Sequence, residues 1–417
     1  MNQPMQAAMA EARRLTAAGQ LAEATALIQR TLGHSPTGSA TARPKSTDEP
    51  IRPKAQVVDV FAEPGMAPGS DPGRQTVASD LAERLRRVAP VPLPNLRRPT
   101  IGRPLLPCPG TAGRLPSELQ PSGLTAGEQF VDGSHSNAAG TRSYKLYIPT
   151  GYAGQAVPLV VLLHGGTQTA VDFAVGTRMH ELAERDTFLV AYPEQPVSAN
   201  ALRCWNWFQA DHQHRDTGEP SLIAGITRSI MSAYHVDSSR VYVAGFSAGA
   251  AMAVIMAATH PDLFAAVGVH SGLAYGAAHD LPSAFAAMKQ GPAPHSRQAA
   301  GAIPIIAFHG DHDQTVDGVN TDCILDHWGQ AAIKEHEADQ RKSPRQATIQ
   351  RGQVAGGHAY TRYLYTGDGA AMEQWVVHEA GHAWSGGSPD GSYTDPQGPD
   401  ASAELVRFFS EHPKSAR

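Results

Sequence analysis

Arg240-Val241-Tyr242-Val243-Ala244-Gly245-Phe246-Ser247-Ala248-Gly249-Ala250-Ala251-Met252 is the stretch on which the fold reading turns. The β-formers Val241, Tyr242 and Val243 lead into Gly245-Phe246-Ser247-Ala248-Gly249, and small helix-formers follow. The pattern reads as strand, tight turn, helix. In a G-x-S-x-G turn the flanking glycines leave room for a strained backbone, which lifts the serine hydroxyl clear of the sheet and sets the next amide at a helix N-terminus. Ser247 is therefore the candidate nucleophile. The competing reading is a glycine-rich turn with an idle serine, and the strand before and helix after weigh against it.

Outward from this turn, Val157 to His164 is a continuous apolar run suited to a strand buried on both faces, and Ser143 to Pro149 alternates as an edge strand would. Ala170 to Arg185 is amphipathic, Thr187 to Tyr192 is a short strand, and Leu222 to Tyr234 reads as helix. Phe264 to His270 and Pro304 to Phe308 are further buried runs, and Ser402 to Phe409 is the last helix. Strands alternating with helices imply a mainly parallel central sheet covered by helices on both faces.

Two segments precede this region. Residues 1–33 carry Leu21, Ala24, Leu27, Ile28 and Leu32 at helical spacing and read as a helical hairpin. Residues 34–127 read as a proline-rich, mostly disordered linker: sixteen of the 32 prolines fall between Pro36 and Pro121, each removing a backbone donor. A helical turn is conceivable at Ser79 to Val88. The catalytic region then spans 128–417.

The apolar fraction of 41% supports a sizeable core, while a net charge of -5 with 18% charged residues argues against a nucleic-acid partner. Small uncharged substrates or neutral polymers fit this balance. Cys108, Cys204 and Cys323 show no metal-type spacing and no disulfide framework, although the sequence leaves a Cys204–Cys323 bridge open. The N-terminus, MNQPMQAAMAEARRL, has neither a basic leader nor an apolar signal core, and no stretch approaches the roughly 20 apolar residues of a membrane span. A cytoplasmic protein is expected.

A serine hydroxyl needs a base, the base needs an orienting carboxylate, and the oxyanion needs fixed donors. After the strand ending at Phe308, His309-Gly310-Asp311-His312-Asp313 offers two aspartates, with Asp317 beyond; Asp313 is favoured because Asp311 lies close enough to the strand to serve as a turn residue. His382, in the loop after Gln374 to Val377, completes the order Ser, Asp, His. His358, His378 and His412 are its competitors. His378-Glu379-Ala380-Gly381-His382 also matches the H-E-x-x-H zinc pattern, but that pattern needs a helix. The preceding β-formers and the glycines at 381, 386 and 387 oppose one, so no metal is expected. Oxyanion donors are sought at Ala248 and at Gly166 or Thr167, in the glycine-bearing loop after the first buried strand. Trp205 and Trp207, two residues apart, would face the same way in an extended loop and form an apolar substrate wall, unless they are core. Trp384, beside His382, is added to the substrate-binding set.

The strings LLHGGTQTAVDFA, VAYPEQ, CWNWF, GEPSLIAGI, RVYVAGFSAGAAM, HPDLFAAVGVHSGLAYGAA and GHAWSGG resemble the polyhydroxybutyrate depolymerase family of esterases, relatives of feruloyl and acetylxylan esterases. The resemblance covers about Gln129 to His412. It implies an α/β-hydrolase fold, a serine esterase mechanism without cofactors, Ser247 as nucleophile, Asp313 as carboxylate, His382 as base and Gly166-Thr167 as oxyanion loop. The family's tryptophan-rich segment, at Trp205 to Phe208 here, is associated with the substrate cleft. Members often carry cysteine where this chain has Gly166, so an oxyanion-loop bridge to Cys204 has no partner. The expected substrate is a hydroxyalkanoate oligomer or polymer, with feruloyl- or acetyl-type small esters as the alternative. Attachment to a polymer granule, or self-association through the N-terminal hairpin, is the expected role of the leading segments. A reading of another class is a granule- or partner-binding scaffold built on an inactive hydrolase fold.

Overall fold

The structure, a computed structural model, describes residues 55–59, 130–293, 303–336, 346–366 and 370–414. The expected hairpin at 1–33, the helical turn at Ser79 to Val88 and nearly all of the linker lie outside the described residues. One part of the linker does not: Ala55–Asp59 forms strand β1, pairing parallel to β9 (Gln346–Gln353) at the edge of the sheet. The β-branched pair Val57-Val58 is the local cause of this short strand within the expected, mostly disordered linker.

Eleven strands form one sheet in the order β1-β9-β10-β11-β8-β7-β6-β4-β5-β3-β2. Its centre is parallel: β5 (Leu189–Pro193), β4 (Val157–Leu163), β6 (Val236–Phe246), β7 (Ala266–His270), β8 (Ile305–Gly310) and β11 (Met372–Val377). β2 (Phe130–Asn137) and β3 (Gly140–Tyr147) continue it antiparallel on one side, and β10 (Ala359–Thr366) joins β11 to β9 antiparallel on the other. β4, β5 and the second half of β6 are apolar and almost wholly buried because both faces are covered. Along β4, Leu159, Val161 and Leu163 enter one core, and Val160 and Leu162 enter the other.

The first core is roofed by α3 (Gly218–Ala233), α4 (Ala248–Thr259), α5 (Leu281–Gln290) and α6 (Val319–His336). The second is closed by α1 (Ala170–Thr177), α2 (Met179–Asp186) and α7 (Ala401–Glu411). Helix α4 is alanine-rich and almost wholly buried, so it has no polar face, as expected of a central helix. A Cβ at Gly249 would overlap the Leu163 carbonyl oxygen, which is why this helix can begin hard against the end of β4. This is the expected helix-covered, mainly parallel sheet, and its carboxyl ends carry the site.

Candidate active site

Ser247 sits between β6 and α4 with φ 54 and ψ -117, a left-handed conformation that costs a non-glycine residue on the order of 1–3 kcal/mol. The fold holds it there from three sides. Its N–H donates to the His270 carbonyl at 2.9 Å, its carbonyl accepts Ala251 N–H at 2.9 Å, and any side chain at Gly245 would overlap Gly249. The residue is half-buried at the carboxyl end of β6, and Ala248 opens α4.

Asp313 follows β8, and its side chain is fully buried. Oδ1 accepts the N–H groups of Thr315 at 2.8 Å and Val316 at 2.9 Å, and Oδ2 accepts His382 Nδ1–H at 2.6 Å. His309 Nε2 donates to the Val316 carbonyl and lies 3.4 Å from the same Oδ2. Burial alone would push this carboxyl up, but the donors, His309 and His382 first among them, hold it well below the usual carboxylate range. It is a fixed anion. Because His382 Nδ1 carries the proton toward Asp313, the neutral ring leaves Nε2 as an acceptor.

The His382 ring packs on Phe246, the residue before the nucleophile, with centroids 4.8 Å apart. The structure thus brings the elbow, the carboxylate and the imidazole to one place. A Ser247–His382 hydrogen bond is not among those of the described residues; such bonds commonly close only when substrate is bound.

In the oxyanion loop, Gly166 N–H makes no hydrogen bond among the described residues, whereas Thr167 N–H is donated to the Leu202 carbonyl at 2.6 Å. Thr167 is therefore corrected: its amide is already committed, and its hydroxyl meets Tyr393 Oη at 3.2 Å instead. The loop is anchored by Gly165 N–H to Gln168 Oε1 at 2.9 Å.

The tryptophan wall is also corrected. Trp205 is 0% exposed, Trp207 4% and Trp384 1%. Trp205 Nε1–H donates to the His164 carbonyl at 3.1 Å, and Trp384 Nε1–H to Ser402 Oγ at 3.1 Å. The 205–207 segment is turned inward by Glu219, a fully buried carboxylate that accepts Asn206 N–H at 2.7 Å, Asn206 Nδ2 at 2.8 Å and Arg142 Nη2 at 3.1 Å, and also meets Gln195 Nε2. The same Gln195 donates to the Cys204 carbonyl at 2.9 Å, and its N–H donates to His164 Nε2 at 3.0 Å. Trp205 thus packs on and bonds to His164, the residue that leads into the Gly165-Gly166 loop. Cys204 and Cys323 are free thiols, so the bridge left open by the sequence does not form.

The H-E-x-x-H segment is a turn, not a helix. Its two histidines diverge, His378 to Asp311 at 2.8 Å and His382 to Asp313. His358 pairs with Asp395 at 2.9 Å, and His412 Nδ1 binds the Phe408 carbonyl at 2.7 Å. A residue the sequence reading passed over is His270, stacked between Phe308 and Trp384, whose Nε2 accepts Ser385 N–H at 3.0 Å. Burial, reinforced by nearby His309 and His382, pushes this imidazole down to about 3, so it is a neutral prop for the His382 loop. Its place at the end of a buried strand, ahead of Ser271-Gly272, was the available signal.

A serine elbow and a buried Asp–His pair at the carboxyl ends of a parallel, helix-covered sheet define the α/β-hydrolase class. Within that class, the model of the Esterase PHB depolymerase family matches residues 142–328, a stretch that includes Ser247 and Asp313 but stops short of His382. The chain is 32% identical over 248 residues to poly(3-hydroxyalkanoate) depolymerase C of Paucimonas lemoignei, covering 57% of each chain. It is 39% identical over 155 residues to acetylxylan esterase A of Talaromyces purpureogenus, covering 37% of this chain and 39% of that one. The chain thus matches little over half the length of the first relative and about two fifths of the second. The solved acetyl xylan esterase from Aspergillus awamori aligns at 20% identity with a TM-score of 0.48, covering 66% of this chain and 96% of that one.

Proposed function

We propose that this chain is a serine carboxyl-ester hydrolase acting through an acyl-enzyme, with Ser247, His382 and Asp313 as its triad. The observation that carries the reading is the 2.6 Å hydrogen bond from His382 Nδ1 to buried Asp313, beside the Ser247 elbow. His382 Nε2 takes the Ser247 proton as Oγ attacks the ester carbonyl, and Asp313 stabilises the imidazolium that forms. The amides of Ala248 and Gly166 donate to the tetrahedral oxyanion, each contributing about 3–4 kcal/mol. His382 then protonates the departing alcohol, and water, activated by the same imidazole, releases the acid.

Hydroxyalkanoate oligomers or polymer are the proposed substrates, supported by the name of the first relative. Similarity to acetylxylan esterase A favours a second reading, a small acetyl-type ester. Attachment of residues 1–33 to a granule or to a second copy remains part of the proposal, as does a cytoplasmic setting, which two free thiols suit. Among the described residues no helix is long and apolar enough to cross a membrane.

The test is a hydrolysis screen of purified protein and Ser247→Ala over hydroxybutyrate oligomers, amorphous polymer, feruloyl esters and acetylated sugars. Turnover of an ester by the parent and its loss in the variant are expected. An inert scaffold would hydrolyse none of them, and a non-serine mechanism would survive the substitution.

A further inference from the structure

The motif left over from the sequence, His378-Glu379-Ala380-Gly381-His382, joins two loops. β8 and β11 run parallel in register up to Gly310 and Val377, and the loops that carry Asp313 and His382 leave the sheet there side by side. The backbone ladder continues for two more bonds, Asp311 N–H to the Val377 carbonyl and His312 N–H to the Ala380 carbonyl, each 3.0 Å. Beyond them, among the described residues, the bonds between the two loops are made by side chains. Asp311 Oδ1 accepts Glu379 N–H at 2.7 Å, and its Oδ2 accepts His378 Nδ1–H at 2.8 Å. His378 Nε2 meets Thr361 Oγ1 of β10 at 2.8 Å, and His378 N–H donates to the Ala359 carbonyl at 2.8 Å. Glu379 has φ 62, a conformation unfavourable for its side chain, and the Asp311 carboxylate is the acceptor that holds it.

We propose that Asp311, His378 and Thr361 form a positioning relay that fixes the His382 loop against the Asp313 loop. This rests on the triad reading given above. The three groups touch no reacting atom. With Nδ1–H donated to Asp311 and Nε2 hydrogen-bonded to the Thr361 hydroxyl, the chain of bonds runs unbroken from β10 to the β8 loop. Release of Asp311 frees Glu379 from its strained conformation three residues before His382. A shift of 1 Å at a catalytic group can cost about a hundredfold in rate, so a small relaxation suffices.

The test uses the full chain and a soluble ester, p-nitrophenyl butyrate. His378→Leu, which can neither donate to Asp311 nor accept from Thr361, should lower kcat by about 10- to 100-fold while KM stays within about twofold. His378→Asn, whose amide can replace Nδ1–H, should recover most of that loss. Asp311→Asn should act through the same element, so Asp311→Asn/His378→Leu should be no slower than the slower single variant. The downfield proton resonance of His382 Nδ1–H should move in each impaired variant, which a loss of overall stability alone would not cause. Thr361→Val provides the same readout should His378→Leu fail to fold. Parent-like kcat in the relay variants, or multiplicative losses in the double variant, overturns the relay. Ser247→Ala assayed alongside separates the two ideas: turnover surviving in Ser247→Ala overturns the triad reading itself, whereas its loss beside parent-like relay variants overturns the relay alone.

Discussion

Gly166→Cys should close a disulfide onto Cys204. A Cβ built at Gly166 lies 3.8 Å from the Cys204 Cβ, at the mean of the separation found in disulfides, roughly 3.5–4.5 Å. Gly166 is not in the left-handed region, so a side chain there meets no backbone penalty. The bridge would close a loop of about 39 residues, for which the chain-entropy relation gives about 4 kcal/mol of stabilisation, or roughly 7 °C in Tm for a domain of about 290 residues. Burial pushes the Cys204 thiol up to about 12, so it supplies little thiolate and closure needs an oxidant and alkaline pH. The assay is the number of alkylatable thiols in denatured protein before and after oxidation, together with the melting temperature with and without reductant. Loss of two thiols, a reductant-sensitive rise in Tm and retained ester turnover are expected, since the substitution keeps the Gly166 amide. Four thiols that still alkylate after oxidation, as many as before it, would refute the placement of the Gly166 loop against the Cys204 segment.

Asp313→Asn should lower turnover by about 10³–10⁴-fold, because an amide at this position no longer enforces the His382 tautomer. Its stability cost should be full at pH 7 and shrink below about pH 4: a carboxyl held below its unfolded range stabilises the fold above that range and ceases to as pH falls. Urea titrations at both pH values check this. Gly249→Ala should cost more than about 3 kcal/mol, because its Cβ overlaps the backbone oxygens of Leu163 and His164, while Gly381→Ala, with nothing within 4 Å of the added Cβ, should be near neutral in melting temperature. Acid should destabilise the protein below about pH 6.5, since burial pushes His180 and His260 down to about 4 and His270 down to about 3, so the unfolded chain binds protons that the native one refuses. His180→Leu should flatten the slope of unfolding free energy between pH 6 and 4.5 by about 1.4 kcal/mol per pH unit; an unchanged slope would refute the assignment.

The parallel core and the elbow were legible because each rests on local signals: continuous apolar runs, and glycines placed where a Cβ has no room. Distance past the strand favours Asp313 over Asp311 in the sequence, and in the structure His382 bonds to Asp313 and His378 to Asp311. The direction of the tryptophans was not. Alternation places Trp205 and Trp207 on one side of a strand but does not say which side, and that side is set by Glu219, whose partners lie on four separate segments. Thr167 failed for a similar reason, since a backbone donor counts for catalysis only if no carbonyl claims it first, and Leu202 is 35 residues away in sequence. His270 and His378 were hidden because a histidine's role depends on the neighbouring strand, and sequence spacing carries no register.

The most direct test of the central claim is peptide mass spectrometry of the protein after reaction with a fluorophosphonate. The account predicts a single adduct on Ser247, formed quickly in the parent and much more slowly in His382→Ala. An ester-hydrolysing protein that carries no adduct on Ser247, or labels at the same rate without His382, would contradict it.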